Sequence, residues 1–160
     1  MIRHARTDEM ERLLEIYDTA RAFMRANGNA AQWGGGYPSH EVLREDIDRS
    51  LLYVMEDDGE VYAVFFMGDG PDPTYAYIDG EWDSDEDYGV IHRVASDGSH
   101  RGVFSDIVKF AEKKYSHLRI DTHEDNIPMQ KAVEKEGFIH RGTIYLANGD
   151  PRRAYSRKKD

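Results

Sequence analysis

The amino-acid sequence predicts an α/β (α+β) fold, with a mixed, mostly antiparallel central sheet of roughly six to seven strands flanked by about four helices. Two observations carry this expectation. Leu51 to Glu56 and Val61 to Met67 are apolar and β-forming and flank Asp57-Asp58-Gly59-Glu60, the signature of a hairpin and so of antiparallel pairing. From Tyr88 to His123 the order is strand, glycine-containing turn, helix, strand, a β-α-β unit that sets two strands parallel. The 160 residues are read as a single domain spanning 1–160, long enough to bury a core without staples.

Ile2 to Arg6 predict an opening strand. Thr7 then caps a helix with Asp8 and Glu9 in its first turn, and Met10, Leu13, Leu14, Tyr17, Ala20 and Met24 recur at helical spacing until Asn27-Gly28-Asn29 breaks the pattern. Gln32 to Pro38 is a glycine-rich loop carrying Trp33 and Tyr37, and Ser39 caps a second helix. After the hairpin, Gly68 to Asp87 turns to Gly, Pro and acids and reads as a long acidic loop with room for a short strand at Thr74 to Ile78. The strand Tyr88 to Ser96 passes through Asp97 to Gly102 into a helix with the apolar stripe Phe104, Ile107, Val108, Ala111 and Tyr115. Leu118 to His123 returns as a strand. Asn126-Ile127-Pro128 opens a further helix stopped by Gly137, and strands Phe138 to Leu146 and Arg153 to Arg157 close around Asn148-Gly149-Asp150-Pro151.

Composition narrows the chemistry. With no cysteine, disulfides, thiolate metal sites and a cysteine nucleophile are excluded. A formal net charge of -10 argues against nucleic-acid binding, which draws its affinity from basic groups displacing counterions, and favours a cationic small molecule or peptide as partner. The longest apolar stretch, Val61 to Met67, is too short to span a bilayer, and Met1 to His4 run straight into polar sequence; the expectation is a cytoplasmic protein with no membrane partner.

A strand feeding a glycine turn and then a helix is a device for holding phosphate, because the first N–H groups of a helix lack partners within it and carry partial positive charge. Ser96-Asp97-Gly98-Ser99-His100-Arg101-Gly102-Val103 has that form, although many such turns merely connect. The run Ile120-Asp121-Thr122-His123-Glu124-Asp125-Asn126-Ile127-Pro128 continues through Met129 and Val133 to Gly137-Phe138. Together with Ile91-His92-Arg93-Val94-Ala95 and the glycine turn, it closely resembles the GNAT superfamily of N-acetyltransferases over the second half of the chain.

The resemblance implies a sheet splayed apart between the parallel strands Tyr88 to Ser96 and Leu118 to His123, with acetyl-CoA as cosubstrate in the cleft and no metal. The pyrophosphate would sit on the amides of Gly98, Ser99, His100, Arg101, Gly102 and Val103, with Phe104 at the last position of the motif. The backbone around Val94 and Ala95 would bond the pantetheine and polarise the thioester carbonyl, while Asn126, with Met129 beside it, would contact the pantetheine arm. The implied reaction is acyl transfer, most simply acetyl, to a primary amine of a small molecule or peptide by direct attack, and a homodimer is the family expectation. Two departures stand out. The usual turn reads Gln or Arg, two residues, Gly, one residue, Gly or Ala; here Gly102 fits the first Gly, but Ser99 and Phe104 flank it. The Tyr that often protonates the thiolate is replaced by Val133, so that Tyr145, Tyr155 or solvent would serve.

Individual side chains carry competing readings. His92 lies on the strand beside the expected thioester, and imidazole titrates near neutrality, so it is either the base that deprotonates the amine or a structural histidine. Glu81 and Asp83 either draw in a cationic amine or form part of a solvated acidic loop. Asp121 and His123 alternate on one strand face and are either ordinary polar residues, Asp121 facing the acceptor, or metal ligands with Glu124 or Asp125. Trp33 and Tyr37 sit where this family builds its acceptor pocket. The alternatives to an acyltransferase are a CoA-binding regulatory module without catalysis and, with no accepted ligand spacing behind it, a metal-dependent hydrolase.

Overall fold

A computed structural model describes residues 1–159. The chain folds as two compact units, one made of Met1–Met67 with His92–Val103 and the other of Gly68–Ile91 with the residues from Phe104 onward. The described residues form four α-helices and eight strands, mostly antiparallel with one parallel pair.

The first unit contains β1 (Ile2–His4), α1 (Met10–Ala26), α2 (His40–Asp48), β2 (Leu52–Asp57) and most of β3 (Glu60–Asp69), followed by the later residues of β5 (Gly89–Ser96). β1 pairs antiparallel with β2, and β2 with β3. The expected hairpin closes on Asp58 and Gly59, whose φ values of 51° and 80° are those of a primed two-residue turn matching the strand twist. Its core is Leu13, Ile16, Tyr17, Leu43, Leu52 and Val64, all with 0% exposure. Each such side chain contributes about 1.5–3 kcal/mol relative to exposure.

The second unit begins with β4 (Asp79–Gly80) and the first residues of β5, then α3 (Val103–Ala111, from Phe104 on), β6 (His117–Thr122), α4 (Ile127–Lys135), β7 (Ile139–Tyr145) and β8 (Pro151–Lys158). Its strand order is β5-β6-β8-β7-β4. The parallel pairing of β5 with β6 consists of Gly89 opposite Leu118 and Val90 opposite Arg119. Gly89 is required there, because the ring of Tyr115 lies where a Cβ would stand.

Several expectations shift. The opening helix starts later than Thr7: residues Thr7–Glu9 form a 3-10 turn in which the Glu9 carboxylate accepts from the Arg6 amide at 2.8 Å, and α1 proper begins at Met10. Its buried stripe includes Ile16, which the spacing argument passed over. Thr74 to Ile78 is not a strand. Asp72 Oδ1 accepts from the Thr74 amide and hydroxyl at 2.9 and 2.7 Å, winding Pro73–Tyr75 into a 3-10 turn, and the strand forms just beyond it as β4, the eighth. Ser39 and Asn126 do cap their helices, accepting from Val42 N at 3.2 Å and Met129 N at 3.1 Å. Among the described residues no helix is long and apolar enough to cross a membrane.

Candidate functional site

Arg93 differs from Ser50 and Asp58, the other left-handed non-glycine residues of the first unit, in lying inside a strand. It sits inside β5 with φ 52°, in the left-handed region where a Cβ crowds the following carbonyl. Such a residue persists only when its surroundings over-determine it. The Tyr17 hydroxyl, from α1, donates to the Arg93 carbonyl at 2.7 Å. The guanidinium donates from Nε and Nη2 to the same oxygen of Asp46 on α2, at 2.9 and 2.8 Å, and from Nη1 to the Tyr37 hydroxyl at 3.0 Å. It also lies 4.6 Å from the ring centre of Phe66 on β3.

Burial acts on each ionisable group of this cluster. It pushes the Tyr17 phenol far up, so the hydroxyl remains a donor. It raises the Asp46 carboxyl, against the pull of Arg93. It opposes the Arg93 charge too, but Tyr37 and Asp46 outweigh it and hold Arg93 above its ordinary value.

Three sequence candidates meet around this residue. Tyr37 bonds Arg93, Trp33 packs edge-on against Tyr17 with ring centres 5.6 Å apart, and His92 packs on Phe66 at 5.5 Å. Val94 is half-buried next in the strand, and Ala95 is in the core. Tyr17, Asp46 and Arg93 were not among the site residues expected from the sequence. A signal was present: an arginine within Val90-Ile91-His92-Arg93-Val94-Ala95 needs a carboxylate partner, and Asp46 falls on the helix face that carries Leu43.

The glycine turn follows β5. Gly98 and Gly102 have φ 83° and 69°, and a side chain on either would meet open space. Asp97 Oδ1 accepts from the Ser99 amide at 2.9 Å and from its hydroxyl at 2.5 Å, while Arg12 pairs with the other oxygen at 2.7 Å. Burial would raise the Asp97 carboxyl, but the Ser99 and Arg12 donors prevail and hold it below the usual range. His100 stacks on Tyr62, with its Nε2 3.1 Å from Asp57 and its Nδ1 2.8 Å from Ser99 Oγ. A cavity of about 420 Å³ here is lined by Asp57, Asp58, Glu60, Asp97, Ser99 and His100. Arg101 is exposed. The turn has the open backbone that a phosphate needs, yet it carries more carboxylates than the sequence argument allowed for.

In the second unit Asn126 is buried at the start of α4 and Met129 is half-buried one turn on. Val133 has 0% exposure, and the Phe104 side chain packs against Phe138 at 6.0 Å. Tyr145 is 41% exposed, with Tyr77 6.3 Å away, whereas Tyr155 is fully buried and accepts from Arg153 Nε at 3.1 Å. The acidic segment is not a uniformly solvated loop. Glu81 is exposed, but Asp83 takes the Ser156 hydroxyl at 3.0 Å, His117 Nε2 at 3.1 Å and Arg141 at 3.6 Å. Trp82 and Tyr88 hold the Arg119 guanidinium between them, each ring centre 4.0 Å away. Asp121 accepts from the Tyr75 hydroxyl at 2.6 Å, and His123 Nδ1 takes the Asp125 amide at 3.0 Å. Among the described residues no three or more His, Asp or Glu side chains are grouped to hold a metal ion.

No family model and no curated protein matches the chain by sequence. Solved structures match it in fold. An acetyltransferase of the GNAT family from Streptococcus agalactiae 2603 superposes with TM-score 0.91 at 28% identity, covering 100% of this chain and 95% of that one. The chain has the fold of GNAT-family acetyltransferases. An N-acetyltransferase from Staphylococcus aureus Mu50 (TM-score 0.61, 22% identity, 99% and 97% covered) shares the GNAT fold. So does a ribosomal-protein-alanine N-acetyltransferase from Brucella melitensis (0.65, 17%, 99% and 99%). The strained residue of β5 and the glycine turn fall on the segments that carry the resemblance to GNAT sequences.

Proposed function

We propose that this acetyltransferase moves an acyl group, most simply acetyl, from acetyl-CoA to a primary amine of a small molecule or peptide by direct attack. The observation that carries the reading is the left-handed Arg93 inside β5. A strand that departs from its pleat there turns backbone N–H groups out of the ladder, where they are free to bond a ligand. On this reading the amides around Val94 and Ala95 polarise the thioester carbonyl. Gly98 to Val103 and the start of the following helix, at Phe104, take the pyrophosphate, and Asn126 and Met129 line the pantetheine arm. The open space at Gly98 and Gly102 supports this, while Asp57 and Asp97 oppose it electrostatically.

His92 is the proposed base for the ammonium and Tyr145 the acid for the departing thiolate. Trp33 and Tyr37 are proposed to hold the acceptor, with Glu81, Asp83 and Asp121 contributing negative charge that attracts it. Working as one domain in the cytoplasm, as a homodimer and without metal, nucleic acid or membrane, completes the proposal. Thermal unfolding with and without acetyl-CoA tests it, since a ligand of the native state raises the midpoint. A clear rise followed by thiol release on adding amines supports the reading; no rise at millimolar ligand sinks it.

Full burial of Val133 at the position of the family's tyrosine favours a second reading, a CoA-binding module without catalysis. Saturable acetyl-CoA binding without thiol release across a broad amine panel would establish that instead.

A further inference from the structure

We propose that Tyr17 is a positioning residue whose hydroxyl holds Arg93 in the left-handed conformation and thereby sets the direction of the Val94 and Ala95 amides. This rests on the reading of those amides as the edge that bonds the acyl thioester. The chain on either side of Arg93 is β-strand, so an extended Arg93 is the natural alternative to φ 52°. Because side chains and amides alternate along a strand, relaxing one residue re-aims those that follow.

Of the groups around Arg93, the Asp46, Tyr37 and Phe66 contacts act on its side chain, which could keep its place over a range of backbone angles. The Tyr17 hydroxyl acts on the backbone itself, at 2.7 Å from the carbonyl. Tyr17 has 0% exposure, and its ring fills the core of the first unit as a phenylalanine would. Its oxygen is the part that packing does not require. Burial keeps the phenol protonated, so the bond is a donor's at any working pH.

The test compares Tyr17→Phe, Arg93→Gly and the double variant, because glycine adopts positive φ without help. The φ of residue 93 is read in ligand-free protein by its NMR coupling constant. The kinetic constants kcat and KM for acetyl-CoA are measured alongside. Expected is departure of Arg93 from positive φ in Tyr17→Phe, with kcat down about tenfold or more and KM changed less. In the Arg93→Gly background the same change should lower kcat by less than about threefold. A positive φ retained in Tyr17→Phe, or equal losses of kcat in both backgrounds, overturns the proposal. If Tyr17→Phe alone does not fold while the double variant does, relief of strain is demonstrated directly; failure of both alike counts against it. Should the wild type neither bind nor turn over acetyl-CoA while residue 93 still shifts in Tyr17→Phe, Tyr17 keeps its positioning role and the acyltransferase reading fails.

Discussion

The imidazole of His100 lies flat on the ring of Tyr62, with ring centres 3.6 Å apart and planes 11° from parallel. The stack fixes this imidazole of the glycine turn between Ser99 and Asp57. Asp57 is therefore a negative charge kept beside the proposed phosphate site. Replacing it with asparagine should tighten acetyl-CoA about two- to fivefold, the scale of one exposed charge. Calorimetric titration at two salt concentrations checks this, with the gain shrinking as salt rises.

Gly102→Glu should abolish acetyl-CoA binding while the fold survives, because it places a negative charge on the turn and its Cβ meets no neighbouring atom. The φ of 69° adds backbone strain of about 1–2 kcal/mol that Gly102→Ala shares. The two variants should lose similar thermal stability, with binding lost only in the glutamate variant. Equal affinity in both would move the phosphate elsewhere.

Tyr145→Phe should lower kcat about ten- to a hundredfold without changing KM for acetyl-CoA if its hydroxyl protonates the thiolate. Steady-state thiol release measures this. Tyr155→Phe is the contrast: that residue is fully buried with its hydroxyl bonded to Arg153, and its loss should appear in the unfolding midpoint. An unchanged kcat in Tyr145→Phe would leave the proton to solvent.

Asp83 should make stability depend on pH. Burial raises its carboxyl, but Ser156, His117 and Arg141 overcome that and hold it below the ordinary range. The depressed native value means its stabilisation is fully present above the unfolded value of about 4 and is lost as pH falls through the native value. Asp83→Asn should cost about 1–3 kcal/mol at pH 7 and flatten the decline of stability below about pH 4. Urea unfolding at a series of pH values is the measurement, and an unchanged slope in the variant would exclude Asp83 as its source.

Much of the fold was legible because its signals are local. Asp58-Gly59 fixes its hairpin through two positive φ angles, and Ser39 and Asn126 announce their helices by bonding amides three residues on. β4 was not legible: two residues carry no periodicity, and what forms them is the close approach of Gly80 to Gly142, far away in sequence. At the candidate site, Trp33, Tyr37 and His92 were singled out by type and position, and they stand beside Tyr17, Arg93 and Phe66. Tyr17 was hidden because a stripe of apolar residues says nothing about where a hydroxyl points, and Arg93 because an arginine inside a strand, unlike Asp-Gly in a turn, gives no local sign of left-handed backbone. Asp83 was misjudged as a solvent-facing charge since its partners His117, Arg141 and Ser156 lie at least 34 positions downstream.

The two tryptophans of the chain fall one to each compact unit, Trp33 against Tyr17 in the first and Trp82 against Arg119 and Tyr75 in the second. Their neighbours differ, a tyrosine ring for Trp33 and a guanidinium and a tyrosine ring for Trp82, so each can serve as a native optical label. With phenylalanine at one position or the other, fluorescence reports the melting of a single unit at a time, and two superimposable curves would identify the whole chain as one cooperative transition.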